Sequence, residues 1–138
     1  MPIPQAITHL RVRYSETDAM GTFYNSRALE WFECGRTDLL REAGIPYAWM
    51  ESQGVFLPLV EVHVNYLGRA KYDDELQIVT TAAMEGKASV RFTIRIAHVA
   101  GSEVAEGYTI HAVVGASGKP IRPPDWLVRA LAGGEATQ

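Results

Sequence analysis

Residues 9–14 alternate, with Leu10, Val12 and Tyr14 on one side and His9, Arg11 and Arg13 on the other. A period of two with one polar face predicts a half-buried strand. Residues 15–25 are turn-rich. Over 26–43 the period becomes helical: Ala28, Phe32, Gly35 and Leu39 recur at spacings of four, three and four, with Leu29 and Leu40 beside them. Asn25 or Ser26 suits the N-cap, Glu30 suits the positive end, and Gly44 followed by Pro46 is a stop signal. Such a helix is about 27 Å long.

From Val55 onward the period is two again. Val60, Val62, Val64 and Tyr66 alternate with Glu61, His63 and Asn65. Residues 76–84 form a less regular strand pattern. Val90, Phe92, Ile94 and Ile96 alternate with Arg91, Thr93 and Arg95. A last strand is expected over 104–114, with Tyr108, Ile110, Ala112 and Val114 on one face. The joins at Gly86, Gly101 and Gly118 carry turn chemistry, and short joins imply antiparallel neighbours. Pro123-Pro124-Asp125 then opens a short helix over 126–131. The order is strand, long helix, four strands, short helix. This predicts an α+β layer, a five-stranded antiparallel sheet wrapped around one long helix. One helix is thin cover for five strands, so pairing with a second copy is expected.

A chain of 138 residues is one domain's worth, with a core over about 9–116 and the short helix after it. There is no repeat, low-complexity tract or linker; only 133–138 has the composition of a frayed end. The net charge of −3 argues against a nucleic-acid partner. No apolar run reaches the roughly 20 residues that span a bilayer. Residues 1–5 lack the pattern of a secretory signal. One cysteine, Cys34, permits no intrachain disulfide and fits a cytoplasmic protein. It falls in the long helix, where a buried thiol is expected.

Generic chemical motifs are absent. There is no phosphate-binding glycine loop, dinucleotide fingerprint, HExxH or nucleophile elbow, and Gly115-Ala116-Ser117-Gly118 reads as a turn. His9, His63, His98 and His111 are far apart and lack metal-site spacing, so no metal is expected. The remaining candidate is the stretch from Tyr14 to Asn25, with two carboxylates, a glycine and three aromatics just before the helix. Asp18 alone also fits a turn closed by its own side chain, and Glu16 alone fits a solvated acid. The chemical alternative is that free N–H groups of Tyr24, Asn25 and Ser26 polarise a carbonyl facing Asp18.

The run Tyr14-Ser15-Glu16-Thr17-Asp18-Ala19-Met20-Gly21, then Tyr24-Asn25 and Leu29-Glu30-Trp31-Phe32-Glu33, resembles the signature of hotdog-fold acyl-CoA thioesterases. The closest branch is the 4-hydroxybenzoyl-CoA thioesterase-like group, which includes the Tol–Pal-associated thioesterases. Residues 60–76 resemble that family's second strand and the turn after it. The resemblance implies that Asp18 is the catalytic carboxylate, acting on water or on the thioester carbon itself. It implies that the backbone N–H of Tyr24 or Asn25 holds the thioester oxygen and that Gly21 lets the loop pass close to substrate. It also implies a site between two subunits, with residues 57–61 near the partner's Asp18 and Glu61 either in that site or an exposed strand residue. Some relatives carry a histidine at the position of Asn25, and some an aspartate at that of Glu16.

The implied substrate is acyl-CoA, short-chain or aromatic, split to a carboxylic acid and CoA by a homodimer or homotetramer. No cofactor is expected beyond the coenzyme A of the substrate. Arg69, Lys71, Lys87 and Arg91, at or near strand ends, are candidates for the CoA phosphates. Tyr47, Trp49, Met50 and Phe56 are candidates for an acyl pocket, or core. Two rivals share the fold. A non-catalytic acyl-CoA sensor would bind without releasing thiol. A hydratase would use a helix histidine, and residues 26–43 contain none.

Overall fold

The computed structural model describes residues 4–132. Strand β1 (Gln5–Arg11) is followed by a single 3-10 turn (Tyr14–Glu16) and helix α1 (Arg27–Glu42). A short helix α2 (Tyr47–Ser52) precedes strands β2 (Leu59–Tyr66), β3 (Glu75–Glu85), β4 (Ser89–His98) and β5 (Glu103–Ala112). Helix α3 (Asp125–Ala130) follows. The sheet is wholly antiparallel with strand order β1-β3-β4-β5-β2, and α1 lies across β1, β3 and β4. This is the expected α+β layer. The 133–138 tail falls outside the described residues.

The core forms where α1 meets the middle strands. Ala28, Phe32 and Leu39 from the helix, Leu76 and Ile78 from β3, and Val90, Phe92, Ile94 and Ile96 from β4 are all buried. Gly35 lets the helix settle onto the sheet, because a Cβ there would run into the Thr80 hydroxyl and Ile78. Leu29, expected on the covered face, is 39% exposed.

Several expectations shift. The first strand starts at Gln5 and stops at Arg11, not over 9–14. Val12 is still held to the Asp73–Asp74 turn by backbone bonds, but the Glu16 side chain accepts from the Arg13 N–H and bends the chain, leaving Tyr14 77% exposed. The short helix α2 was not foreseen. Strand β5 turns the other way. Ala105, Thr109, His111 and Val113 face the core, while Tyr108, Ile110 and Ala112 take the outer face. Its register explains this: Ile96, Ile94, Phe92 and Val90 stand opposite Ala105, Gly107, Thr109 and His111, and directly opposed residues share a face.

Strand β2 has its apolar residues on the helix side, since Val62, Val64 and Tyr66 oppose Thr109, Gly107 and Ala105. Helix α1 does not reach over them, so Val62 and Tyr66 are exposed. Cys34 is exposed rather than buried, on the flank of α1 away from the sheet's inward row.

Candidate active site

The loop before α1 is a small hairpin. Thr17 bridges Phe23, the Asp18 N–H donates to the Thr22 carbonyl at 2.9 Å, and the Gly21 N–H donates to the Asp18 carbonyl at 3.0 Å. Asp18 Oδ1 accepts the Met20 N–H at 2.8 Å, closing a turn with its own side chain and leaving Oδ2 for other work. The half-buried Asp18 thus meets the turn reading and keeps an oxygen to spare. Gly21 has φ +79°, a left-handed conformation that favours glycine. A Cβ there would meet nothing within 4 Å, so its conformation, not a close approach, accounts for the glycine within this chain.

Glu16 is not solvated; it is 3% exposed and holds the hairpin to the helix. Its carboxylate accepts from the Arg13 N–H at 2.6 Å and from the Trp31 indole N–H at 3.0 Å. Burial alone would push this carboxyl up, but those N–H groups and the Arg13 guanidinium bring it below the ordinary carboxylate value. Its backbone carbonyl accepts the Tyr24 N–H at 2.8 Å. Tyr24 is therefore not a free amide, contrary to expectation. The N–H groups of Asn25 and Ser26 have no backbone acceptor among the described residues and stand at the start of α1. The Asn25 carbonyl accepts the Tyr66 phenol at 2.7 Å, which fastens the end of β2 to the helix start.

The same hairpin is tied to the segment after β2. Phe23 N–H donates to the Ala70 carbonyl at 2.8 Å, and Thr22 Oγ1 takes the Ala70 N–H at 3.2 Å. Ala70 lies between Arg69 and Lys71, so both cations come to the hairpin. With Met20, Gly21, Asp74 and His98 they line a cleft of about 410 Å³. His98 was missed by sequence reasoning. Its Nε2 lies 2.7 Å from the Arg69 carbonyl and its Nδ1 is 3.9 Å from Asp74, so it fixes the backbone that presents Arg69. Only cross-strand placement, not local spacing, brings it there.

The other candidates fall elsewhere. Lys87 is on the exposed β3–β4 turn. Arg91, near the start of β4, opposes Ile110 on the outer face of the sheet, with its guanidinium 3.9 Å over the Tyr108 ring. Glu61 is on that face too and accepts the Tyr108 phenol at 2.7 Å, which raises the pKa of this tyrosine. Neither Lys87, Arg91 nor Glu61 lines the cleft beside Gly21. Met50 is fully buried core, and Trp49 packs edge-on against Trp126 at 4.7 Å between ring centroids. Tyr47 and Phe56 line surface cavities.

A further cavity, about 270 Å³, lies between α1 and the start of β2, bordered by Tyr47, Leu57, Phe92 and His111. His111 is 4% exposed, with Nδ1 2.9 Å from the Leu57 carbonyl and Nε2 3.0 Å from Thr109 Oγ1. Burial pushes its pKa down, despite the carbonyl that favours the charged form. Among the described residues no three His, Cys, Asp or Glu side chains gather as a metal site, and no helix is long and apolar enough to cross a membrane.

Known proteins share the sequence pattern and the fold. The Thioesterase-like superfamily model matches residues 12–131. The putative acyl-CoA thioesterase YneP of Bacillus subtilis is 32% identical over 122 residues, spanning 85% of this chain and 88% of that protein. Among solved structures, the hypothetical protein TT1821 from Thermus thermophilus gives a TM-score of 0.86 at 32% identity, over 91% of this chain and 96% of that one. The DHNA-CoA thioesterase from Staphylococcus aureus gives 0.80 at 30% identity, over 86% and 80%. With the match running through hairpin, helix and sheet alike, the chain belongs to the thioesterase-like superfamily.

Proposed function

We propose that this protein hydrolyses a short-chain or aromatic acyl-CoA to the carboxylic acid and CoA. The observation that carries the proposal is the bonding of one hairpin to three things. It bears Asp18, it runs into the unpaired amides of the α1 start, and Ala70 ties it to the Arg69–Lys71 cations. In this reaction the Asn25 N–H takes the thioester oxygen and stabilises the charge that develops on it. Asp18 Oδ2 takes a proton from a water whose oxygen attacks the carbonyl carbon, or attacks that carbon itself. On the first route the C–S bond then breaks and the CoA thiolate takes the proton back from Asp18. On the second the C–S bond breaks as an acyl–Asp18 anhydride forms, and a water hydrolyses that anhydride to the acid and free Asp18, giving the thiolate its proton. Arg69 and Lys71 hold CoA phosphate oxygens. No metal or redox cofactor takes part.

The site is completed by a second copy. Strand β2 is a sheet edge with Leu59, Val60, Val62 and Tyr66 exposed, a surface suited to pairing. Antiparallel pairing of two such edges about a two-fold axis sets the Leu59 end of one strand opposite the Tyr66 end of the other. Tyr66 is bonded at the α1 start, so residues 57–59 and the cavity beside them come toward the partner's Asp18. A homodimer is the smallest such unit, and a homotetramer doubles it.

Asp18→Asn tests the proposal. It keeps the turn bond to Met20 and removes the base, so kcat for thiol release falls by about 10²–10⁴ while the melting temperature is unchanged. Unchanged turnover in a folded variant removes Asp18 from the reaction. After a single turnover in ¹⁸O water, label in the Asp18 carboxylate identifies direct attack, since it enters there only when water opens an acyl–Asp18 anhydride at the Asp18 carboxyl carbon. Saturable acyl-CoA binding with no thiol release favours the sensor instead.

A further inference from the structure

We infer that the cavity between α1 and the start of β2 is an acyl subsite for a short acyl group ending in a carboxylate, which the Arg36 guanidinium receives. The inference rests on the thioesterase reading above and names its substrate class.

The first observation is an unpaired cation. Arg27 and Arg41, on the same helix, each bond an acid three residues away, Glu30 at 2.9 Å and Asp38 at 3.0 Å. Arg36 has Glu33 at that same spacing. Yet among the described residues no carboxylate forms an ion pair with it, and no hydrogen bond engages its side chain. It is half-buried and lines the cavity. Burial pushes its pKa down, partly offset by the negative charge of Glu33, but an arginine stays charged at any ordinary pH. A cation partly withdrawn from water without a partner is costly, and a fork of N–H donors suits a carboxylate.

The second observation is what else the cavity offers. Its polar donors are not spent on each other. The Tyr47 hydroxyl accepts the Leu57 N–H at 3.0 Å and keeps its own proton to give. His111 has both ring nitrogens occupied and is held neutral, so it adds a fixed wall rather than a second charge. Leu40, Leu57, Leu59 and Phe92 supply its apolar walls. Glu33 also borders the cavity but is exposed, where water screens its charge. At about 270 Å³ the cavity sits below the roughly 300–1,000 Å³ of pockets for drug-sized ligands, which favours a short acyl group over a long chain.

The third is position. Leu57 and Leu59 line the cavity, beside the end of β2 that edge pairing brings to the partner's Asp18. A thioester held there directs its acyl group into this cavity, while its CoA runs toward the Arg69–Lys71 cleft.

The test compares glutaryl-CoA with pentanoyl-CoA, equal in carbon number and differing in the terminal charge. Wild type is expected to favour glutaryl-CoA in kcat/KM by about tenfold or more, a preference that Arg36→Met removes and Arg36→Lys partly keeps. The corresponding hydrolysis-inert thioethers are titrated by calorimetry alongside. Thiol release with the same ratio in wild type and Arg36→Met overturns the subsite and leaves the hydrolase standing. No thiol release from either ester, with an Arg36-dependent preference for the glutaryl thioether, keeps the subsite and overturns the hydrolase. Thioethers bound alike by wild type and variant overturn the subsite whatever the turnover.

Discussion

Strands β4 and β2 carry the same alternation and meet opposite fates. Val90, Phe92, Ile94 and Ile96 are all at most 1% exposed, whereas Val60 and Val62 are 60% and 40% exposed. The difference is position. Strand β4 has a neighbour on each side and α1 above it, while β2 pairs only with β5 and lies beyond the helix. A period of two says that one face is apolar; it does not say what covers that face. In β4 the cover is this chain's own helix. In β2 no helix of the described residues covers it, and this is the face that the proposed function gives to a second copy.

That contrast is tested most strongly by truncating one residue on each strand. Ile94→Ala empties a sealed site and is expected to cost about 2–5 kcal/mol in urea unfolding. Val62→Ala, judged on dilute monomer, stays within about 0.5 kcal/mol. Val62→Asp goes further by placing a charge on the edge. Its expected outcome is a folded protein that sediments as a monomer and has lost thiol release, since the site would lack its second half. Equal destabilisation by the two alanines would erase the distinction between core and interface.

The hairpin that bears Asp18 belongs with the sealed region, through Glu16. Glu16→Gln removes the charge that collects the Arg13 and Trp31 N–H groups, at an expected cost of about 1–3 kcal/mol at neutral pH. The folded-state pKa of Glu16 lies below the ordinary carboxylate value, so its stabilisation is present above that value and fades as pH falls through the folded pKa. The gap between wild type and Glu16→Gln should therefore close in acid. A gap that widens toward low pH contradicts a depressed carboxyl.

What could be read from the sequence follows the same division. Helix α1, the apolar face of β4 and the chain order were legible because local period sets them. The face of β5 was not, since Tyr108, Ile110 and Ala112 are apolar enough to pass for a core row, and only register with β4 turns Thr109 and His111 inward. Asp18, Gly21, Arg69 and Lys71 were picked out and do gather at one hairpin. Lys87 and Arg91 were grouped with them by charge and by a place at or near strand ends, and the sheet sends them elsewhere. The work of Glu16 and His98 was hidden because each acts through long-range bonds, to Trp31 and to Arg69. The amide of Tyr24 looked free because helix starts usually leave such groups unpaired, and here the Glu16 carbonyl takes it.

A smaller loss than at Ile94 is expected from how closely α1 sits on the covered side. Gly35→Ala adds a methyl that meets the Thr80 hydroxyl and Ile78. Overpacking of this kind costs about 1–3 kcal/mol, and the better helix propensity of alanine returns about 1 kcal/mol. The net expectation is a loss of about 1 kcal/mol in thermal unfolding. Thr80 Oγ1 is buried and has no hydrogen-bond partner among the described residues, so Thr80→Ala removes both the obstacle and an unsatisfied polar atom. In that background Gly35→Ala should cost less, because only the contact with Ile78 is left to oppose the propensity gain. If Gly35→Ala costs the same with and without the threonine, contact between helix and β3 is not what requires a glycine there, and the tight seating of α1 on that half of the sheet would need another cause.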